Sequence, residues 1–249
     1  EANYDALFNK CYANMALAGN GGANGDCDID GLDGGTTGFV RQMFNANELP
    51  TDEAICCWGD EGIPAFNYGQ WGASHPMLRG FYNRRYFGVT ICNFYLEEAG
   101  EYNETMTAEV RFLRALYYYH LMDCFGNIPF LTVVSSEPAP QATRQEVYNF
   151  IESELLDIEG TMSAPMTGTY GRADQAAAWM LLARLYSNAE VYTGTAQWQK
   201  AAEYAQKVMN SAYKLHTTGS HDAVNNKDWS AYQMLFMGDN GENGAQCEA

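Results

Sequence analysis

The apolar positions Tyr4, Leu7, Phe8, Cys11, Tyr12 and Met15 recur at steps of three and four, the spacing of a helix that buries one face. That spacing constrains the fold more than any other feature, because it returns over about 78–96, 107–125, 143–158, 173–186 and 197–209. The block ending at Phe125 is stopped by Gly126 and then Pro129, as helix ends commonly are. Thr143-Arg-Gln-Glu146 is a capping box: the threonine side chain accepts from the third backbone N–H while the glutamate reaches back. The stripe Val147, Phe150, Ile151, Leu155 and Ile158 follows it. Only Ile128–Val134 reads as a short strand. The chain is therefore expected to be mainly α.

The blocks 173–186 and 197–209 are rich in alanine, and small residues let helices approach closely; two helices joined by a turn look like a tetratricopeptide unit. In that pair Trp179 and Trp198 are expected in the core, with Ala202 and Ala205 on the inner face. Between Gly19 and Gly38 the periodicity vanishes into Gly, Asp and Asn. A loop this long is uncommon unless it serves a purpose, so it is a candidate ligand or partner surface. Within it, Asp26-x-Asp28-x-Asp30-Gly31 matches the start of a calcium loop, but the twelfth position is Thr37 instead of glutamate. A calcium ion there stands against the alternative of a solvated acidic loop. Asp239, Asn240, Glu242 and Asn243 form a second oxygen-rich cluster, left open because Gly241 interrupts it.

Charge removes whole classes of function. Fourteen Lys and Arg against 31 Asp and Glu give a net charge of −17, which opposes binding to nucleic acid or to an anionic lipid surface. Membrane attachment then requires a covalent lipid outside this chain or a protein partner, and no apolar run approaches the length of a spanning helix. Seven cysteines without paired spacing argue against a disulfide framework, and Cys11, Cys92 and Cys124 sit in helical apolar patterns. No C-x-x-C and no histidine cluster supports zinc.

Four stretches resemble the SusD/RagB family, in the family's order: Phe39-Val-Arg-Gln-Met-Phe-Asn-Ala-Asn-Glu-Leu-Pro-Thr-Asp-Glu53, Ala108-Glu-Val-Arg-Phe-Leu-Arg-Ala-Leu-Tyr-Tyr-Tyr119, Gly171-Arg-Ala-Asp174 and Asn188-Ala-Glu-Val-Tyr-Thr-Gly194. The resemblance implies a SusD-like fold with TPR-like helix pairs and long loops, taken as a single domain over 1–249. It also implies a surface-exposed outer-membrane lipoprotein, without catalysis, that binds oligosaccharide or polysaccharide and hands it to a SusC-like TonB-dependent barrel. Relatives begin with a lipidated cysteine and continue well past this stretch, so the chain is expected to be the N-terminal part of a longer one. The helix carrying Glu109, Arg111 and Arg114 is the most diagnostic element; arginines at that spacing are expected to pair with neighbouring groups and fix packing, with no ligand role.

Sugar recognition needs a flat aromatic face and a few planar hydrogen-bonding groups. The match to starch-binding members of the family places Trp58 on an aromatic platform and Arg41 on a hydrogen-bonding arginine. Glu61 falls where those members carry a ligand asparagine, and Cys56 where they carry a second tryptophan. A starch-like α-glucan is the ligand that this resemblance favours. Trp71, in a Gly- and Pro-rich stretch, is a candidate for the same surface. Each has a plainer alternative: a packed indole for Trp58 and Trp71, and a surface ion pair for Arg41. A glycosidase would need facing carboxylates, whereas Asp52/Glu53 and Asp60/Glu61 are sequence neighbours. The remaining alternative is a TPR-type protein or peptide-binding subunit; it would pack Trp58 under the Gly-rich loop instead of exposing it beside Arg41.

Overall fold

A computed structural model of the chain describes residues 2–21 and 27–247. In chain order it contains α1 (Ala2–Ala13), α2 (Phe39–Glu48), α3 (Ile63–Asn67), α4 (Pro76–Ala99), α5 (Glu104–Phe125), β1 (Ile128–Pro129), β2 (Gln141–Ala142) and α6 (Arg144–Ile158). Then come α7 (Gln175–Ser187), α8 (Ala189–Thr193), α9 (Trp198–Met209), β3 (Ser220–Asp222), β4 (Lys227–Trp229) and α10 (Ala231–Met234). Each strand pair is a short antiparallel ladder, β1 with β2 and β3 with β4. The apolar run from Ile128 thus yields only two strand residues, Ile128 and Pro129. The fold is mainly α, as the helical spacing requires.

The chain divides into two compact units, Glu1–Asn103 with Leu113–Val147, and Glu104–Phe112 with Tyr148–Ala249. In the first, α1 and α2 pack on α4. Gly88 of α4 lets α5 come close: a Cβ there would lie 2.6 Å from Tyr117 Cε2. The fully buried Tyr117 donates its hydroxyl to Cys11 O at 3.2 Å and accepts from Asn14 Nδ2 at 3.0 Å. Arg84, also fully buried, donates to Asn14 Oδ1, to Ala18 O and to Cys27 Sγ, so it fastens the segment after α1 to α4. Asn93, Arg114 and Tyr118 do the same for residues 131–133 by donating to their carbonyls. Gly126, at φ +76°, ends α5 with its N–H on Met122 O. The capping box closes as expected: Glu146 N–H donates to Thr143 Oγ1 at 3.2 Å, and Thr143 N–H donates to Glu146 Oε2 at 2.7 Å. The Thr143 N–H and hydroxyl, both donating to Oε2, hold the Glu146 carboxyl below its usual range.

In the second unit α7 packs along α9. Asp174 caps α7 through Ala176 N–H and also accepts from Met166 N–H and Tyr213 Oη. Arg172 grips the buried Glu109 with two hydrogen bonds, at 2.9 and 2.7 Å. Arg111 pairs with Glu154 and Asp157, the packing role expected of it. Trp198 departs from expectation: it is 64% exposed, and Ala202 is exposed with it. The ring of Tyr204 against Tyr186 turns the face of Ala201, Tyr204, Ala205 and Val208 inward, and that leaves Trp198 and Ala202 outward. Trp179 is half-buried, under Lys207. Cys124 is also exposed, at the last turn of α5, whereas Cys11 and Cys92 are buried and burial pushes the Cys92 thiol well up.

Burial raises three tyrosines, Tyr118, Tyr148 and Tyr213, from the ordinary 10.0 to about 12; at Tyr213 the Asp174 hydrogen bond adds to burial. A raised folded-state pKa means that the protonated phenols stabilise fully below pH 10.0, and that this contribution is lost as pH rises through about 12. Urea midpoints are expected to fall across that window, with phenolate absorbance from these residues rising as helix content is lost. Their ionisation near the ordinary value, with native circular dichroism intact, would contradict this.

Candidate functional site

The site is built on the segment between α2 and α4, which has little regular structure and is held by specific side chains. Leu49, Ile63, Phe66 and Met77 form a small buried cluster beneath it, with Cys56 packed against the cluster. Asn67 clamps the main chain at Cys56 on both sides, its Oδ1 accepting from Cys56 N–H at 3.2 Å and its Nδ2 donating to Cys56 O at 2.7 Å. Gly62, at φ +97°, begins α3, and a Cβ there would lie 2.8 Å from the His75 ring. His75 accepts from Leu78 N–H through Nδ1, capping α4, and its Nε2 lies 3.0 Å from Gly62 O. That pairing is satisfied by the tautomer with hydrogen on Nε2.

On this frame Trp58 is 65% exposed. The Arg41 guanidinium, from α2, lies over its ring with Cζ 5.0 Å from the centroid. Arg41 Nη2 pairs with Asp60 Oδ2 at 2.7 Å, and Nη1 donates to Gly35 O at 2.6 Å. One guanidinium therefore joins the Gly-rich loop, α2 and the Trp58 loop. A guanidinium carries five N–H donors in a planar fork, and those two bonds leave the others available to a ligand. The structure thus brings Trp58 and Arg41 together with the indole exposed, and it also supplies the ion pair that was the plainer reading of Arg41. Glu61 is exposed one residue beyond Asp60.

Trp71 lies elsewhere. It is 45% exposed, stands edge-on to Phe66 at 5.9 Å, and lines a groove with Arg79, Tyr82 and Asn83 to which neither Trp58 nor Arg41 contributes. Sequence reasoning missed Asp60 and Gly35 as partners of Arg41, Asn67 as a clamp, and the groove on α4. The one available signal was the spacing of Arg79, Tyr82 and Asn83, which puts them on one face of a helix.

Of the calcium-like loop, Asp26 lies outside the described residues. Asp28 is engaged by Lys10 at 2.6 Å and faces Arg84 at 3.9 Å. Thr37 is buried with its hydroxyl on Asp33 O. In the second oxygen-rich cluster, Asn240 and Asn243 donate to main-chain carbonyls of Leu235 and Met234, and Asn243 also to Asp239. Among the described residues no group of three or more His, Cys, Asp or Glu is gathered as a metal site.

Helix-rich architecture and this sequence are those of the SusD-like proteins, and the chain belongs to that family. The family description that matches, over residues 66–187, reads "Starch-binding associating with outer membrane". The chain is 41% identical over 242 residues to the starch-binding protein SusD of Bacteroides thetaiotaomicron, covering 95% of this chain and 42% of the relative. A SusD-like protein of Bacteroides fragilis superposes with a TM-score of 0.65 at 21% identity, over 98% of this chain and 43% of that one. A laminarin-binding SusD-like protein gives 0.63 at 23% identity, over 90% and 45%. The chain spans less than half the length of each of these proteins.

Proposed function

We propose that this chain is the part of a non-catalytic surface protein that captures a glycan, best a starch-like α-glucan, at Trp58 and Arg41. The observation that carries this reading is the exposed indole with a guanidinium fixed against it by Asp60 and Gly35 O. The aromatic face takes the C–H side of a pyranose, and the planar donors take vicinal hydroxyls. Kinship with a starch-binding protein supports the sugar class, and the laminarin-binding relative widens it to other glucans. Glu61 stands at the rim as a further hydrogen-bond acceptor. Delivery to a SusC-like TonB-dependent barrel, and an outer-membrane position secured by a lipid anchor outside this chain, complete the proposal. It draws on the family's association with the outer membrane and fits a set of described helices of which none is long and apolar enough to cross a membrane. No role for calcium is needed.

Affinity electrophoresis of the full-length protein against starch, other glucans, fructans and host glycans tests the reading. Wild type is expected to be retarded by an α-glucan, and Trp58→Ala to weaken that binding about tenfold or more, the loss of one stacking platform and its buried area. Retardation by no glycan in the panel would sink it and leave the protein- or peptide-binding alternative, for which the outward Trp198 and Met209 of α9 are the relevant surface.

A further inference from the structure

The groove beside Trp71 has the chemistry of a sugar site without being part of the one above. It has a volume of about 730 Å³ and is lined by Trp71, Leu78, Arg79, Tyr82, Asn83 and Phe125, a size within the range of small-ligand sites. Its walls are set by ring packing: Tyr82 meets Phe125 edge-on at 5.2 Å and lies 4.6 Å from Tyr86. Gly69, at φ +63°, turns the chain so that the Trp71 ring folds back over it, 3.9 Å from where a Cβ would stand. Arg79 and Asn83 are one helical turn apart on α4, and neither side chain makes a hydrogen bond or ion pair with a described residue. Three buried polar side chains of α4 behave differently: Arg84, Arg85 and Asn93 are bonded to main-chain carbonyls. A guanidinium and a carboxamide without a hydrogen-bond partner among the described residues, beside an exposed indole and a phenol, present the flat face and planar donors that a pyranose ring requires.

We infer that this groove is a second glycan subsite, with Trp71 as platform and Arg79 and Asn83 as hydrogen-bonding groups, and that it engages a second stretch of a polysaccharide. The choice of ligand rests on the glycan-capture reading of Trp58. Two subsites on one chain make the second contact intramolecular, so long polymers gain avidity that short oligosaccharides do not.

The test is affinity electrophoresis of the full-length protein in gels of soluble starch and of laminarin, with Trp58→Ala, Trp71→Ala, Arg79→Ala/Asn83→Ala and Trp58→Ala/Trp71→Ala. Circular dichroism serves as the check of folding; the Arg79/Asn83 pair keeps the test alive if Trp71→Ala unfolds. On the glycan that retards wild type, Trp71→Ala and the Arg79/Asn83 variant are each expected to weaken binding about tenfold. Trp58→Ala should keep a residual retardation that the double tryptophan variant loses. The subsite is overturned if both groove variants, folded, run as wild type and the double tryptophan variant runs as Trp58→Ala. Groove variants that weaken binding while Trp58→Ala does not would instead overturn the Trp58 site alone. A wild type retarded by neither glycan overturns both.

Discussion

Gly88→Ala is expected to lower the unfolding free energy by about 3 kcal/mol, at the upper end of what overpacking a core costs. The sign is the informative part. In a helix interior, glycine to alanine favours the helix by about 1 kcal/mol on backbone grounds alone, so a site with any slack would become more stable. Gly88 has none, because the added methyl would stand 2.6 and 2.7 Å from two carbons of the Tyr117 ring. Nor can the ring retreat: it is fully buried, hydrogen-bonded to Cys11 O and Asn14, and edge-on to Phe39 at 5.8 Å. Urea denaturation of Gly88→Ala, Tyr117→Leu and the double variant would separate the terms. Strong positive coupling is expected, with the double variant losing less than the sum. A Gly88→Ala protein as stable as wild type would show that α4 and α5 are not locked at this point.

The second large effect is expected at Arg84. Its guanidinium is fully buried and donates to Asn14 Oδ1 at 3.1 Å, Ala18 O at 2.9 Å and Cys27 Sγ at 3.3 Å, with Asp28 at 3.9 Å. Arg84→Ala strips partners from a buried amide and a buried carbonyl and opens a cavity, a combination expected to cost roughly 3–5 kcal/mol. The damage should be directional, since Arg84 ties the segment after α1 to α4 while Lys10 still holds Asp28. Limited proteolysis is therefore expected to cut first near Ala18 and Cys27. Loss of stability without faster cleavage there would mean that Arg84 acts through general packing instead of fastening that segment.

Helices α1, α4, α5, α6, α7 and α9 were legible in the sequence because apolar residues recur along each at helical spacing, and the box at Thr143 and Glu146 marked the start of α6. Helix α2 was not read as one, and its inner face explains why: Gln42 and Asn45 are buried there, at 0% and 5% exposure, so polar residues interrupt the stripe that pattern-reading needs. Trp198 misled for the opposite reason. A large apolar residue in a periodic segment suggests core, but periodicity gives two candidate faces, and the Tyr186–Tyr204 contact selects the other one. At the site, family resemblance named Trp58 and Arg41, and the exposed indole was the stated discriminator. What fixes their geometry was hidden, because Asp60, Gly35 and Asn67 act through contacts that leave no spacing in the sequence.

The clamp by Asn67 has a bearing on how such a protein diversifies. Its amide grips only the N–H and C=O of residue 56, atoms that every amino acid except proline supplies alike. The hydrogen bonds of the clamp are therefore independent of the side chain at that position, whose remaining tie to the frame is the packing of Cys56 on the cluster beneath. Cysteine stands there in this chain, and the clamp holds the path of the loop without a large ring at that position. Exposed residues of 55–61 that neither pack on the cluster nor hold Arg41 can therefore be exchanged without disturbing the clamp. What the loop presents to solvent is then set by a short stretch of side chains, and how it is held is set by main-chain atoms.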